Sequence, residues 1–287
     1  MMNLIKVILS ICIYLTAACD GMARTQTFSF TTRDYVQGDS ALTTLYVHNG
    51  TYKLVMRGDA ADTRMPGAGI FEGTLSDEQE RELAVAYEEA KKYQPFTPSP
   101  IIDGFLTAFY KHGDPIVKLD VTINMKPENA ALLVAVTFKN TGRQEMCLRS
   151  PATWEGRYNP IAGNSWIAVS AKSEKYDTRK SEEGLIRTGF FGGAQMVNAD
   201  EFPDDRMCIP SMQAKVAKFR VFPQSKIKKG KYLIGASIAV REVLSPAEFA
   251  GALEMNSVNQ VIELGRDYPS TPEEINAYST YLQSKDN

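Results

Sequence analysis

Histidine is nearly absent: 287 residues carry two, His48 and His112. A zinc site built on imidazole needs more than that, and a serine nucleophile needs a histidine placed beside it. Both histidines fall in predicted hairpin turns, at His48-Asn49-Gly50-Thr51 and Lys111-His112-Gly113-Asp114. Charge of one sign is also lacking. Lys and Arg number 32 against 34 Asp and Glu, a formal net charge of −2, so no basic field points to nucleic acid. Beyond the N-terminus no apolar run reaches the roughly 20 residues that a transmembrane helix needs. There is no internal repeat and no long low-complexity tract, and no motif implies a cofactor.

What is present begins with the leader. Met1 to Lys6 carries one basic residue besides the amino terminus, and Val7 to Ala18 is apolar apart from Ser10 and Thr16. A basic start, a short apolar core and a small-residue end describe a secretory signal peptide over 1–23. Two cuts are open. Gly21-Met22-Ala23 suits release after Ala23. Leu15-Thr16-Ala17-Ala18-Cys19 resembles the lipobox of bacterial lipoproteins, with Thr16 where an apolar residue is usual. That resemblance implies lipid on Cys19, and Asp20 after it resembles the signal that keeps lipoproteins on the inner membrane. Either cut places the chain in the periplasm, and the second tethers it to the membrane by its lipid.

Cysteine is scarce: Cys12, Cys19, Cys147 and Cys208. Cys12 leaves with the leader, and Cys19 is lipidated or removed. Two remain in a compartment where disulfides persist, so a Cys147–Cys208 bridge is expected, with two separate buried thiols as the rival reading. Neither cysteine has a second within zinc-type spacing, and no metal site is expected.

The mature chain divides near its prolines. Leu42–Val47 and Tyr52–Met56 flank Asn49-Gly50, a hairpin signal because both residues tolerate positive φ. Ile70–Leu75 reads as a strand. Ser76, with Gln79 completing a capping box, opens a helix over 77–93 whose buried stripe is Leu83, Ala86, Tyr87 and Ala90. Its wet face is Glu78, Glu82, Glu88 and Glu89. Phe105–Tyr110 and Ile116–Leu119 are read as a second hairpin. These segments make a small α+β domain over 24–118. Strand-like runs at 121–124, 132–138, 165–170, 212–222 and 232–240 follow, without a long helical pattern between them. They suggest a β-sandwich over 119–266. Ser245-Pro246 and Thr271-Pro272-Glu273-Glu274 carry helix-start signals, and Ile275, Tyr278 and Leu282 are the expected docking face of a C-terminal helix over 267–287. Leu132 to Phe138 followed by Lys139-Asn140-Thr141-Gly142 resembles a strand and turn of bacterial immunoglobulin-like domains. Lys229-Gly230-Lys231-Tyr232-Leu233 resembles the edge that starts a late strand in them. The resemblance implies a mainly β fold, an immunoglobulin-like sandwich preceded by a small α+β domain. It implies no functional residues, because this fold hosts many unrelated roles.

Catalytic signatures are weak. Gly38-Asp39-Ser40 looks like the start of an esterase motif, but neither histidine has an Asp three residues earlier, as that family requires. Ser225-Lys226-Ile227-Lys228 fits Ser-x-x-Lys without the helix that chemistry needs. The first expectation is therefore a non-enzymatic periplasmic protein-binding module whose partner is another envelope or exported protein. An immunity protein that blocks a toxin is one form of it, by analogy. The residues expected at the interface are Phe190 and Phe191 with the acidic group Asp200, Glu201, Asp204 and Asp205, which would steer a basic partner. The second expectation is an envelope carbohydrate or peptidoglycan binder stacking sugars on Trp154 and Tyr158. The third is an unrecognised hydrolase, which two converging carboxylates in a deep pocket would promote.

Overall fold

The structure is a computed structural model that describes residues 27–33, 41–58, 65–92, 99–158, 163–174 and 184–285. Cys19 and Gly38-Asp39-Ser40 lie outside them. In chain order the elements are β1 (Phe28–Arg33), β2 (Ala41–His48), β3 (Thr51–Met56), β4 (Ala68–Thr74), α1 (Asp77–Ala90), α2 (Pro100–His112), β5 (Asp114–Glu128) and β6 (Ala131–Asn140). They continue with β7 (Met146–Arg149), β8 (Trp166–Ser173), β9 (Leu185–Arg187), β10 (Arg206–Ile209), β11 (Ala214–Val221), β12 (Gly230–Ser245), β13 (Gly251–Asn256), β14 (Gln260–Leu264) and α3 (Pro272–Lys285). The protein is mainly β. One sheet has the order β1-β2-β3-β4-β5-β6-β11; the other runs β10-β7-β12-β8-β9, with β13 and β14 also pairing β12.

Among the described residues, contacts divide the chain into two units, one drawn from 27–32, 44–54, 71–92 and 99–114, the other from 33, 41–43, 55–58, 65–70 and the described residues from 115 onward. In the first, Asn49 (φ 49°) and Gly50 (φ 73°) both adopt the left-handed conformation, as the Asn-Gly hairpin predicts. Ser76 and Gln79 form the expected capping box at α1, which buries Leu83, Ala84, Ala86 and Ala90. Tyr87 is half-buried and stacks on Phe28 at 5.0 Å. One expectation fails here. Residues 105–110 are not a strand but the middle of α2, with Ser99 as cap and Pro100 in the first turn. The buried residues are Ile102, Leu106, Phe109 and Tyr110, a 3.6-residue period that the aromatic content of Phe105–Tyr110 disguises as strand. Phe109 then stacks on Tyr52 at 3.8 Å.

The second unit is a two-sheet sandwich. β6 alternates buried Leu132, Val134, Val136 and Phe138 with partly exposed neighbours, the period of a strand with one covered face. These side chains share one core with Val121, Ile123 and Phe219 of their own sheet and with Ile167, Val169, Ile234 and Ile238 of the other. The Asn140-Thr141-Gly142 turn is a knot in this core. The fully buried Asn140 amide accepts from the backbone N–H groups of Lys118 (3.4 Å) and Gly142 (3.0 Å). It donates to Gln144 O (2.6 Å) and Ile209 O (3.0 Å), so β5, the turn and β10 are tied by one satisfied side chain. A Cβ on Gly142 would lie 2.4 Å from Val117 Cα, so only glycine fits there. The expected Cys147–Cys208 disulfide forms between paired residues of β7 and β10.

Two terminal expectations divide. Ser245-Pro246 opens no long helix: β12 runs through Ser245 and only a single turn, Ala247–Phe249, follows. The α3 helix does form, but its inward stripe is Glu274, Tyr278 and Tyr281, whereas Ile275 and Leu282 are exposed. The stripe turns because Glu274 is held inward. Its carboxylate accepts from both terminal nitrogens of Arg266 and from the N–H groups of Ser270 (2.9 Å) and Thr271 (3.2 Å). Its own N–H donates to Thr271 Oγ1, a capping box reinforced by a guanidinium.

That arrangement predicts acid sensitivity. The Arg266 hydrogen bond, with help from the two backbone donors, lowers the Glu274 pKa to about 2. A depressed acid contributes stability above its unfolded value, about 4.5, and that contribution disappears as pH falls toward 2. With the half-exposed guanidinium discounted for solvent, about 2 kcal/mol is expected to be lost across this window. Glu274→Gln should lower Tm at pH 7 and leave it near wild type at pH 2; an equal difference at both pH values would refute the assignment.

Candidate functional site

The loops flanking β8 build an aromatic patch. Ile167 and Phe191 exchange backbone hydrogen bonds of 3.0 and 2.9 Å. That bridge directs Phe191 into the core, where it packs 5.2 Å from Phe219, and by alternation points Phe190 outward. Phe190 is 47% exposed. It meets the edge of the mostly buried Trp166 at 4.8 Å and stacks with Tyr158, 40% exposed, at 5.7 Å. Tyr158 also meets Trp166 at 6.2 Å.

Glycines hold the two loops together. Gly193 N–H donates to Trp154 O (2.9 Å) and Gly156 N–H to Ser165 O (3.0 Å). A Cβ on Gly193 would lie 2.0 Å from Ala152 O, and one on Gly192 2.6 Å from Trp154 O. Gly156 has φ 66° and would bring a Cβ within 2.5 Å of Gly192 N. Glu155 accepts from Ser165 N–H (2.8 Å), and Ser165 Oγ accepts from Arg241 N–H (2.8 Å). The backbone under Tyr158 and Phe190 is thus pinned at several points, which lowers the ordering cost of binding.

Beside the patch lies a groove of about 290 Å³, lined by Thr188, Phe190, Gln195, Arg220, Phe222 and Tyr281. Phe222 and Tyr281 stack at 4.8 Å to form an aromatic wall. The Thr188 hydroxyl is engaged by Val169 N–H at 2.9 Å. Arg220 is exposed. Chemically the site offers aromatic surface, a half-buried amide and a guanidinium.

The expected residues are only partly gathered here. Phe190 and Tyr158 meet; Phe191 and Trp154 do not join them, because both are core residues. Trp154 packs edge-on against Phe138 at 6.0 Å, and its Nε1 donates to Arg149 O (3.1 Å), so its ring face is not open to a sugar. Trp166 takes the place beside Tyr158. Asp200, Glu201, Asp204 and Asp205 are all exposed. Among the described residues, the one trio of metal-type ligands whose atoms lie within 4.8 Å is Glu145, Cys147 and Cys208, and there both sulfurs are in the disulfide. Ser225 and Lys226 sit in a loop before β12, not on a helix. A second groove, about 470 Å³ and in the first unit, brings Glu72 and Asp114 beside Lys53 and His48. Lys53 holds Glu72 at 3.2 Å, and the His48 ring is engaged by Thr27 and Asn49.

Trp166 had a readable signal, a tryptophan at the head of a β-run whose odd and even positions alternate. Arg220, Phe222 and Tyr281 had none, since only the fold brings β11 and α3 to Phe190. No protein-family model matches the chain, and no curated protein matches it.

Proposed function

We propose that the protein is a non-enzymatic binding module of the periplasm, carried on an immunoglobulin-like sandwich and tethered to the inner membrane through lipid on Cys19. Its partner is another envelope or exported protein, and a toxin held inactive by an immunity protein is one form such a pair takes. The observation that carries this reading is the exposed Tyr158–Phe190 stack on a glycine-pinned backbone. Rigid, partly exposed aromatics are the side chains that dominate binding energy at protein interfaces. The adjoining groove supplies a recess for one apolar side chain of the partner, and Arg220 a contact for its carboxylate.

The test is capture of the partner from the native envelope with the mature protein, compared with a Tyr158→Ala/Phe190→Ala double variant. The variant should bind at least about tenfold more weakly, an interface hot-spot effect, with an unchanged Tm, because both rings are half exposed. Equal capture by both proteins would overturn the reading. Capture of glycan strands instead of a protein would favour sugar stacking on the same two rings. The same envelope fraction reports the tether. Acyl mass on an N-terminal Cys19 peptide supports it, and a mature N-terminus at Arg24 removes it.

A further inference from the structure

α1 has two differently used faces. One buries Leu83, Ala86 and Ala90. The other carries Glu78, Glu82, Val85 and Glu89, spaced i, i+4, i+7 and i+11, which is a continuous stripe along about 16 Å of helix. Val85 in the middle of that stripe is 61% exposed, and Ile101 at the start of α2 is 46% exposed. Both line a groove of about 540 Å³ together with Glu78, Arg81, Glu82 and Glu89.

The edge of this groove carries more negative than positive charge. Glu78 and Glu82 are like charges at i, i+4, which costs a helix a few tenths of a kcal/mol. The nearby lysines do not compensate them. Lys91 pairs with Glu88 at 2.6 Å and Lys92 with Glu89 at 2.7 Å. Among the described residues Glu78 and Glu82 make no ion pair. The groove therefore shows two exposed aliphatic side chains edged by three carboxylates and one guanidinium.

We propose that this groove docks a basic amphipathic helix of another protein. An apolar side chain of that helix sits between Val85 and Ile101, and its lysines or arginines face Glu78 and Glu82. The groove runs between α1 and α2 with Val85 on one wall and Ile101 on the other, the setting in which an amphipathic helix lays its apolar face into a groove. The carboxylates repel anionic lipid headgroups, so a membrane surface is a poor occupant. The proposal goes beyond the aromatic patch and does not rest on the role of Tyr158 and Phe190.

The probe is a labelled helical peptide of about 18 residues with leucines at i, i+4 and i+7 flanked by lysines, titrated into the mature full-length protein by fluorescence anisotropy. Its control has glutamates in place of the lysines. The lysine peptide should bind at least about tenfold more tightly than the glutamate peptide, and several-fold more weakly when salt is raised from about 50 to about 200 mM. Val85→Asp and Glu82→Lys, both at exposed positions, should each weaken it about tenfold without changing Tm. The Tyr158→Ala/Phe190→Ala variant should bind it like wild type, which separates failure here from failure of the aromatic interface. Equal binding of the two peptides, or indifference to both groove variants, would overturn the proposal. So would self-association of the free protein that Val85→Asp abolishes, which would assign the groove to a second copy.

Discussion

Replacing Cys147 and Cys208 together with alanine is expected to lower Tm by roughly 10 °C. The bridge joins residues 61 apart, and the chain-entropy estimate for closing such a loop is on the order of 4 kcal/mol. For a unit of this size each kcal/mol moves Tm by about 2–4 °C. The loss should be local at first. β10 is a four-residue edge strand paired only to β7, in the register Arg206↔Arg149 to Ile209↔Met146. Without the bridge, β10 keeps its far end through Asn140 on Ile209 O, while position 208 loses its covalent tie to position 147 on β7. Amide exchange should therefore quicken in β10 before it does in β12. Wild type unfolded under reducing conditions should reproduce the variant's Tm. A Tm within 2 °C or so of wild type in both experiments would show that the strand pairing alone carries this corner.

Gly193→Ala is the second large effect. The added methyl would stand 2.0 Å from Ala152 O, a backbone atom, so the loop must move instead of a flexible side chain yielding. Overpacking of this kind costs about 1–3 kcal/mol. The movement breaks the Gly193 N–H to Trp154 O bond and shifts the 154–158 loop against 190–193. Affinity for the partner should fall with stability, because Tyr158 and Phe190 sit on those two loops. Gly104→Ala is the control, since a Cβ there meets nothing within 4 Å; as an exposed helical glycine it should leave Tm unchanged or raise it slightly. If Gly193→Ala leaves both Tm and partner binding intact, the two loops are not coupled through this contact.

Local signals in the sequence determined a good deal of this protein. Asn49-Gly50 specified a hairpin, Ser76 with Gln79 and Thr271 with Glu274 specified two helix starts, and the alternation in Leu132–Phe138 specified a half-buried strand. Each works because the chemistry lies within a few residues: positive φ, an orphan N–H, a period of two. The disulfide was readable too, by counting the cysteines that lie beyond the expected leader. Where the local signal was mixed, reading by residue type erred. Phe105–Tyr110 is aromatic enough for a strand, and only its packing against Tyr52 and Phe71 selects the helical period. Ile275 and Leu282 fit a docking stripe until Arg266, eight residues before Glu274, draws that carboxylate inward and rotates the helix.

The candidate site was legible only in part, through Tyr158 and Phe190. Tertiary structure decided the rest. Whether a phenylalanine points to solvent or core depends on its strand register, and the Ile167–Phe191 bridge separates Phe190 from its neighbour by one pleat. Trp154 and Trp166 are alike in sequence, yet one is consumed by Phe138 and the other supports the patch. The groove joins residues from β11 and α3 to a loop before β10, and no spacing along the chain encodes that meeting. Residue type determined what each side chain can do; the closing of two sheets over one core decided which of them remain free to do it.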